Sequence, residues 1–181
     1  MVAEPSCLAA FRDELPALLA DDPRAAVLAS LARIVAEYLQ ASPGLEAILR
    51  NQQRPDRGDG LPARAVIHPH CHSRAIGGPR ADRELVERLG IGAEILDAGC
   101  CGLAGSFGSR SQHEALSRQI GEEQWLPRVR SALGHPGGPS VGSGGTTTLL
   151  IDGLSCQMQL DQLSDLRSTA LISIVRRALR C

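Results

Sequence analysis

The chain has 181 residues, 22% of them charged, and a net charge of −1, which suits one domain with a sizeable core or one domain plus an appendage. That balance leaves no electrostatic footprint for nucleic acid or an anionic membrane, and 2% aromatic content (Phe11, Tyr38, Phe107, Trp125) argues against base-stacking platforms. No apolar run approaches the roughly 20 residues that span a bilayer, and Met1 to Pro5 lack the basic start and apolar stretch of a secretion signal.

In chain order, Asp22 and Pro23 read as N-cap and first residue of a helix. Val27, Leu28, Leu31, Ile34, Val35 and Tyr38 recur behind them at helical spacing, which predicts one amphipathic helix to about Leu39. A shorter helix is expected over Leu45 to Leu49, then a polar, breaker-rich linker over 51–63. Ala65 to Ile67 is a short apolar run that ends at His68-Pro69, hence a strand. A helix over about Ala81 to Leu89 follows, with Leu85, Val86 and Leu89 inward and Gly90 at its end. Glu94 to Leu96 reads as a second strand. Ser111 and Glu114 have capping-box spacing before a helix that carries Leu116, Ile120 and Val129, with a kink near Pro127. Residues 135–147 are a flexible Gly-rich insertion, without the Gly-Lys-Ser/Thr ending of a phosphate loop. A strand over Thr148 to Ile151 and a closing helix complete a Rossmann-like α/β fold, a parallel sheet with flanking helices.

Each strand delivers cysteine. Cys71 follows the first, the adjacent pair Cys100 and Cys101 the second, and Cys156 the third. Ligands in open α/β sheets sit at the carboxyl ends of strands, so four thiols arriving there form a candidate ligand set. Six cysteines without a secretion signal favour a reducing compartment, where thiols serve metals or redox chemistry. Thiolates suit both zinc and iron–sulfur clusters. Adjacent cysteines chelate one ion awkwardly but reach different irons of one cluster easily, which favours a cluster, with zinc as the alternative. Buried, inert cysteines are the plainer reading. Gly99, Gly102, Gly105 and Gly108 recur every third residue and allow close backbone approach to a bulky group, or simply turn the chain. His68, His70 and His72 flank Cys71 and share a side if the chain stays extended, each a ligand, a donor to sulfur, or a loop histidine satisfied by backbone. His113 and His135 are expected at the surface, Cys181 as a free terminal thiol, and Arg74 and Arg110 as solvated charges or stabilisers of a negative centre.

The N-terminus carries an echo. Glu4-Pro5-Ser6-Cys7 parallels Asp152-Gly153-Leu154-Ser155-Cys156 as acidic residue, breaker and Ser-Cys entering a helix. Cys7 would then close one unit and Cys156 the next, so that the chain looks like the tail of a longer protein. As the last thiol of a broken unit, Cys7 is expected at a helix start near an open sheet edge, too poor in partners to hold a cluster of its own.

Together, His70-Cys71-His72, Asp97-Ala98-Gly99-Cys100-Cys101-Gly102 and Ser155-Cys156 resemble the cysteine-rich CCG domain. That domain occurs in the cysteine-rich subunit of heterodisulfide reductase and in the iron–sulfur subunits of glycolate oxidase and anaerobic glycerol-3-phosphate dehydrogenase. It also occurs at the C-terminus of FAD-linked oxidases, which this wording is most similar to. The resemblance implies the tail of a first repeat over 1–50, mostly helical, and a complete second repeat over 64–181. It implies a 4Fe-4S type cluster on Cys71, Cys100, Cys101 and Cys156, with Cys7, His70, His72 and Gly102 as accessory groups. Where heterodisulfide reductase closes a repeat with Cys-x-x-Cys, this chain has Gly153 and Glu4, so the second repeat offers four thiols.

Two functions are expected. One is an electron-transfer module of a flavin-linked oxidoreductase acting on 2-hydroxy acids such as lactate or glycolate. Its FAD would lie in a partner or missing domain, since no G-x-G-x-x-G follows a strand here. Its partners would be a flavoprotein, a ferredoxin-like iron–sulfur region and a quinone or membrane complex. It would reside in the cytoplasm, or peripherally at the inner face of the membrane through a partner. The other is a structural zinc module that docks proteins in a redox complex. A thiol–disulfide enzyme using Cys100 and Cys101 ranks third, because no Cys-x-x-Cys helix start lowers a thiol pKa.

Overall fold

The computed structural model describes residues 1–46, 49, 60–134 and 146–180. Four strands form one parallel sheet in the order β2-β1-β3-β4: β1 (Arg64–Ile67), β2 (Gly92–Ile95), β3 (Thr147–Leu150) and β4 (Ser168–Thr169). The α/β fold with flanking helices is as expected. The expected linker and Gly-rich insertion, the middle of the helix expected over Leu45 to Leu49, and Cys181 lie wholly or largely outside the described residues.

The period-2 pattern explains the layers. Ala65, Ile67 and Leu150 point to one face and bury against Leu85, Val86 and Leu89 of the helix Arg80–Arg88 and against Leu171, Ile174, Val175 and Ala178 of the helix Leu171–Arg180. Val66, Leu149 and Ile151 point to the other, where Trp125, Leu126, Val129 and Leu160 close the second core. A sheet buried on both faces gives the continuous apolar runs read in the sequence. The strand order reverses between β1 and β3, which opens a crevice at their carboxyl ends. Ile67 pairs with both Ile95 and Leu150, so all three thiol-bearing loops leave the sheet from one rung.

Three elements depart from the sequence pattern. The helix expected to run to Leu39 ends at Leu31, and a second begins at Val35. Between them Ala32 turns extended, and the Arg33 carbonyl accepts the Val2 N–H at 2.7 Å beside a parallel bridge from Val2 to Ile34. Ile34 and Val35 are buried, but Val27, Leu28 and Leu31 are exposed. The N-cap itself is as expected, with the Asp22 side chain accepting the Arg24 N–H. Ser111 does not cap its helix, which starts at Glu114 behind His113. A π-helical segment, Gly121–Trp125, precedes Pro127, and two helices rather than one follow β3, Leu154–Leu163 and Leu171–Arg180, with β4 between them.

The N-terminal helices fold back on this frame. Leu8, Ala32 and Ile34 form a small core, and the helix Pro5–Ala9 packs on the helix Cys71–Ala75. Arg12 clamps the return, donating to Ala32 O and pairing with Glu37, whose Oε2 also accepts the Ile34 N–H. Among the described residues no helix is long and apolar enough to cross a membrane.

Candidate metal centre

A cavity of about 920 Å³ opens at the carboxyl edge of the sheet, and five of the six cysteines line it: Cys7, Cys71, Cys100, Cys101 and Cys156. Each arrives by a short route. Cys71 opens the helix Cys71–Ala75 four residues after β1, Cys100 and Cys101 lie on the loop that leaves β2, and Cys156 is the third residue of the helix after β3. Cys101 and Cys156 are buried, while Cys7, Cys71 and Cys100 are exposed. Neighbouring thiols interact pairwise, Cys100 with Cys101 and Cys101 with Cys156. Among the described residues, however, no three His, Cys, Asp or Glu side chains converge as closely as a single-ion site requires.

The loop after β2 is built by its glycines, though not by all of them. Gly102 has φ +97°, and a Cβ there would collide with Ser117 O, so the chain needs glycine at this position on two counts. Its N–H faces Cys100 Sγ at 3.4 Å. Gly108 packs against the Ser117 side chain, whereas Gly99 has open space around it. From the other side, Gly121 lets the π-helical segment approach the Cys101 carbonyl. Arg74 reaches back from the Cys71 helix and donates to Leu96 O at 2.7 Å and Ala98 O at 3.2 Å, which ties the first thiol-bearing element to the second.

All three clustered histidines line the cavity, although the chain stops being extended at Cys71 and carries His72 into a helix. His70 Nδ1 accepts the His72 N–H at 3.3 Å, and Nε2 meets Ser155 Oγ at 3.2 Å. The His70 ring fills the space that any side chain at Gly153 would need. His68 is buried, and its Nδ1 lies 3.2 Å from the Trp125 indole nitrogen. His113 is half-buried rather than a free surface residue, stacked on Phe107 with ring centroids 4.1 Å apart.

The electrostatics favour neutral groups in the absence of a cation. Contact with Cys101 and burial push the Cys100 thiol far up, and burial, then Cys100, raises Cys71. For Cys101 the Cys100 contact pulls down, but Cys156 and burial outweigh it and push the thiol up to about 12. Burial lowers His70, and it takes His68 down to about 3 with help from Arg74 and His70. Thiolate ligation at these positions would release protons as the metal binds.

The echo between Cys7 and Cys156 has a structural counterpart. Cys7 is the third residue of Pro5–Ala9, and Cys156 the third of Leu154–Leu163. Val2, five residues before Cys7, donates to Arg33 O at 2.7 Å, and Ile151, five before Cys156, donates to Thr169 O at 3.2 Å. A helix starts two residues beyond each acceptor, at Val35 and at Leu171. Cys7 thus stands at a helix start as expected, and on the wall of the cavity that holds Cys71. Glu4 links the two motifs directly, its Oε2 accepting the Leu154 N–H.

Sequence reasoning missed two supporting residues. Gln159, buried on the Cys156 helix, donates to Ser117 O and Oγ and so braces that helix to the one behind the Cys100–Gly102 loop. Its spacing from Cys156 could have placed it on the inward face, since i and i+3 share a side. Trp125 is fully buried behind His68, and nothing local announces that contact.

Over 120 residues the chain is 27% identical to one subunit of the anaerobic glycerol-3-phosphate dehydrogenase of Escherichia coli K12, covering 66% of this chain and 27% of that protein. It is 29% identical over 93 residues to D-2-hydroxyglutarate dehydrogenase of Haemophilus influenzae, covering 50% of this chain and 9% of the relative. Against the D-2-hydroxyglutarate dehydrogenase of Pseudomonas putida the figures are 25% over 149 residues, 77% and 13%. The chain therefore matches only about a quarter or less of each relative's length. No family model matches it, and no solved structure matches it significantly.

Proposed function

We propose that this chain is a cysteine-rich electron-transfer module of a flavin-linked dehydrogenase, and that it holds an iron–sulfur cluster of the 4Fe-4S type on Cys71, Cys100, Cys101 and Cys156. The observation that carries the reading is the convergence of thiols from three strand ends, and of Cys7, on one cavity of about 920 Å³. The donor set fits such a group. Soft sulfur ligands suit iron–sulfur clusters, and the adjacent pair Cys100 and Cys101 reaches different irons of one cluster more easily than it chelates a single ion. Gly102 offers its N–H toward Cys100 Sγ and admits backbone where a side chain would collide. When bound, the cluster would supply one-electron storage between a flavin and an acceptor. The four cysteines would hold it, and Arg74 and Gln159 brace the elements that carry them.

The relatives support the dehydrogenase context. Both names specify dehydrogenation of a hydroxyl-bearing acid or phosphate ester, which supports a 2-hydroxy acid such as lactate or glycolate as the substrate class of the enzyme this module would serve. Oxidation itself would take place in an FAD-binding partner domain or subunit, with a ferredoxin-like region and a quinone or membrane complex as further partners. The shared plan around Cys7 and Cys156 supports the tail of one CCG repeat followed by a second. His70 and His72 line the same wall as accessory groups.

Anaerobic purification with iron, sulfide and zinc analysis tests the reading. Iron and acid-labile sulfide near four per chain, with visible absorption that bleaches on reduction, is the expected result. One zinc per chain without colour would instead make this a structural zinc module.

A further inference from the structure

We infer that Trp125 fixes His68 as its Nε2–H tautomer, and that this N–H is a hydrogen-bond donor presented to the sulfur-rich anionic group in the cavity, tuning its reduction potential. The second half rests on the cluster reading above; the first does not.

An indole N–H can only donate. With Trp125 Nε1 at 3.2 Å, His68 Nδ1 must offer its lone pair and carry no proton. His68 is 3% exposed and burial holds it neutral, its pKa taken down to about 3, so its single proton resides on Nε2. His68 lines the cavity and Trp125 does not, so the imidazole stands between the indole and the cavity. The rings are tilted by 56° with centroids 5.1 Å apart, which suits an edge-on N–H···N contact rather than a stack. Among the described residues no protein acceptor meets Nε2. Nε2 is not one of the buried side-chain atoms left without a partner, so it keeps access to open space, and the cavity that His68 lines is where its partner would come from.

This separates His68 from its neighbour. Both nitrogens of His70 are engaged, by the His72 N–H and by Ser155 Oγ. His68 has one nitrogen blocked by Trp125 and the other protonated, so it is a donor and not a metal ligand. Its backbone is pinned as firmly as its ring, because its N–H donates to Leu150 O at 2.9 Å. Hydrogen bonds to cluster sulfur stabilise the reduced, more negative state and raise the potential.

Two measurements on the full chain decide the matter. Two-bond ¹⁵N–¹H correlation spectra of the metal-free protein should show His68 with a bare Nδ1 and a protonated Nε2 between pH 5 and 8. Trp125→Phe, which keeps the bulk and drops the donor, should mix the tautomers. On the iron-loaded protein, His68→Leu should lower the midpoint potential by about 59 mV, a tenfold one-electron equilibrium change, the worth of one hydrogen bond to a charged group. His68→Gln, with an N–H in a similar place, should recover most of it. A protonated Nδ1 would overturn the tautomer assignment. An unshifted potential in His68→Leu at full iron content would overturn the donor role, and loss of iron from both His68 variants would make His68 a ligand. Absence of iron from the wild-type chain would refute the cluster reading and the donor role with it, while the tautomer result stands by itself.

Discussion

Glu4 accepts the backbone N–H of Leu154 at 3.0 Å, so a carboxylate from the start of the chain caps the helix that carries Cys156, 150 positions later. Glu4 also accepts from Ser6 Oγ at 3.0 Å, which fixes the carboxylate's direction. The N-terminal segment is thereby joined to one wall of the cavity at the atom where the helix most needs an acceptor.

Glu4→Ala should cost about 1 kcal/mol of unfolding free energy, the usual worth of a lost cap. The loss should be seen in urea denaturation and should shrink with added salt, since part of it is charge against the helix dipole. Unchanged stability at low salt would show that the cap does not hold in solution.

The glycines around Cys100 and Cys101 should respond unequally. Gly102→Ala meets both a positive φ and the Ser117 carbonyl, and should cost about 3 kcal/mol or more. Gly99→Ala, with nothing near its Cβ, should stay within about 0.5 kcal/mol of the parent. Chemical denaturation of the two metal-free variants gives the comparison. Equal effects would mean that the loop is not held as described.

Ligand substitution follows the same geometry. Cys101→Ser should abolish stable iron loading, because Cys101 is buried between the Cys100 and Cys156 thiols. Cys181→Ser should leave loading unchanged, since in sequence Cys181 follows the helix Leu171–Arg180 and no strand. Metal content per protein on both variants checks this. Equal losses would remove the adjacent pair from the ligand core.

A pH effect arises at a carboxyl that does not line the cavity. Burial, then Asp152 and Glu37, raises the Asp82 carboxyl to about 7, and its Oδ1 has no hydrogen-bond partner among the described residues. A carboxyl whose folded pKa exceeds the unfolded value of about 4 binds its proton more tightly in the native state. Its contribution is therefore full below about pH 4 and is lost as pH rises through about 7. Asp82→Asn should remove that decline and stabilise the chain by about 1 kcal/mol at pH 8. Thermal melts of both proteins at pH 5 and pH 8 test it, and parallel pH profiles would refute it.

The strands and their thiols were legible because both signals are local. A buried parallel strand is a short apolar run with a breaker behind it, and Cys71, Cys100, Cys101 and Cys156 each follow one within a few residues. What escaped was set by distant partners. The Leu31–Val35 break exists because Val2 bonds to Arg33, and no periodicity in 22–39 encodes a strand-like residue at position 2. Ser168–Thr169 is too short to leave a pattern. The Trp125–His68 contact joins positions 57 apart. The Cys7 echo was visible as four letters, but its meaning came from hydrogen bonds at Val2 and Ile151 that only the folded chain displays.

The common rung formed by Ile67, Ile95 and Leu150 acts as a ruler with a zero mark. Segments that precede a strand's pairing can gain or lose length without moving a sulfur, because the register is reset when the strand pairs. Segments after it have no such correction. One residue added between Leu150 and Cys156 would turn the start of the helix by about 100° and carry its thiol off the wall. Tolerance to insertion should therefore change sharply along the chain, within a few residues of each strand's last pair.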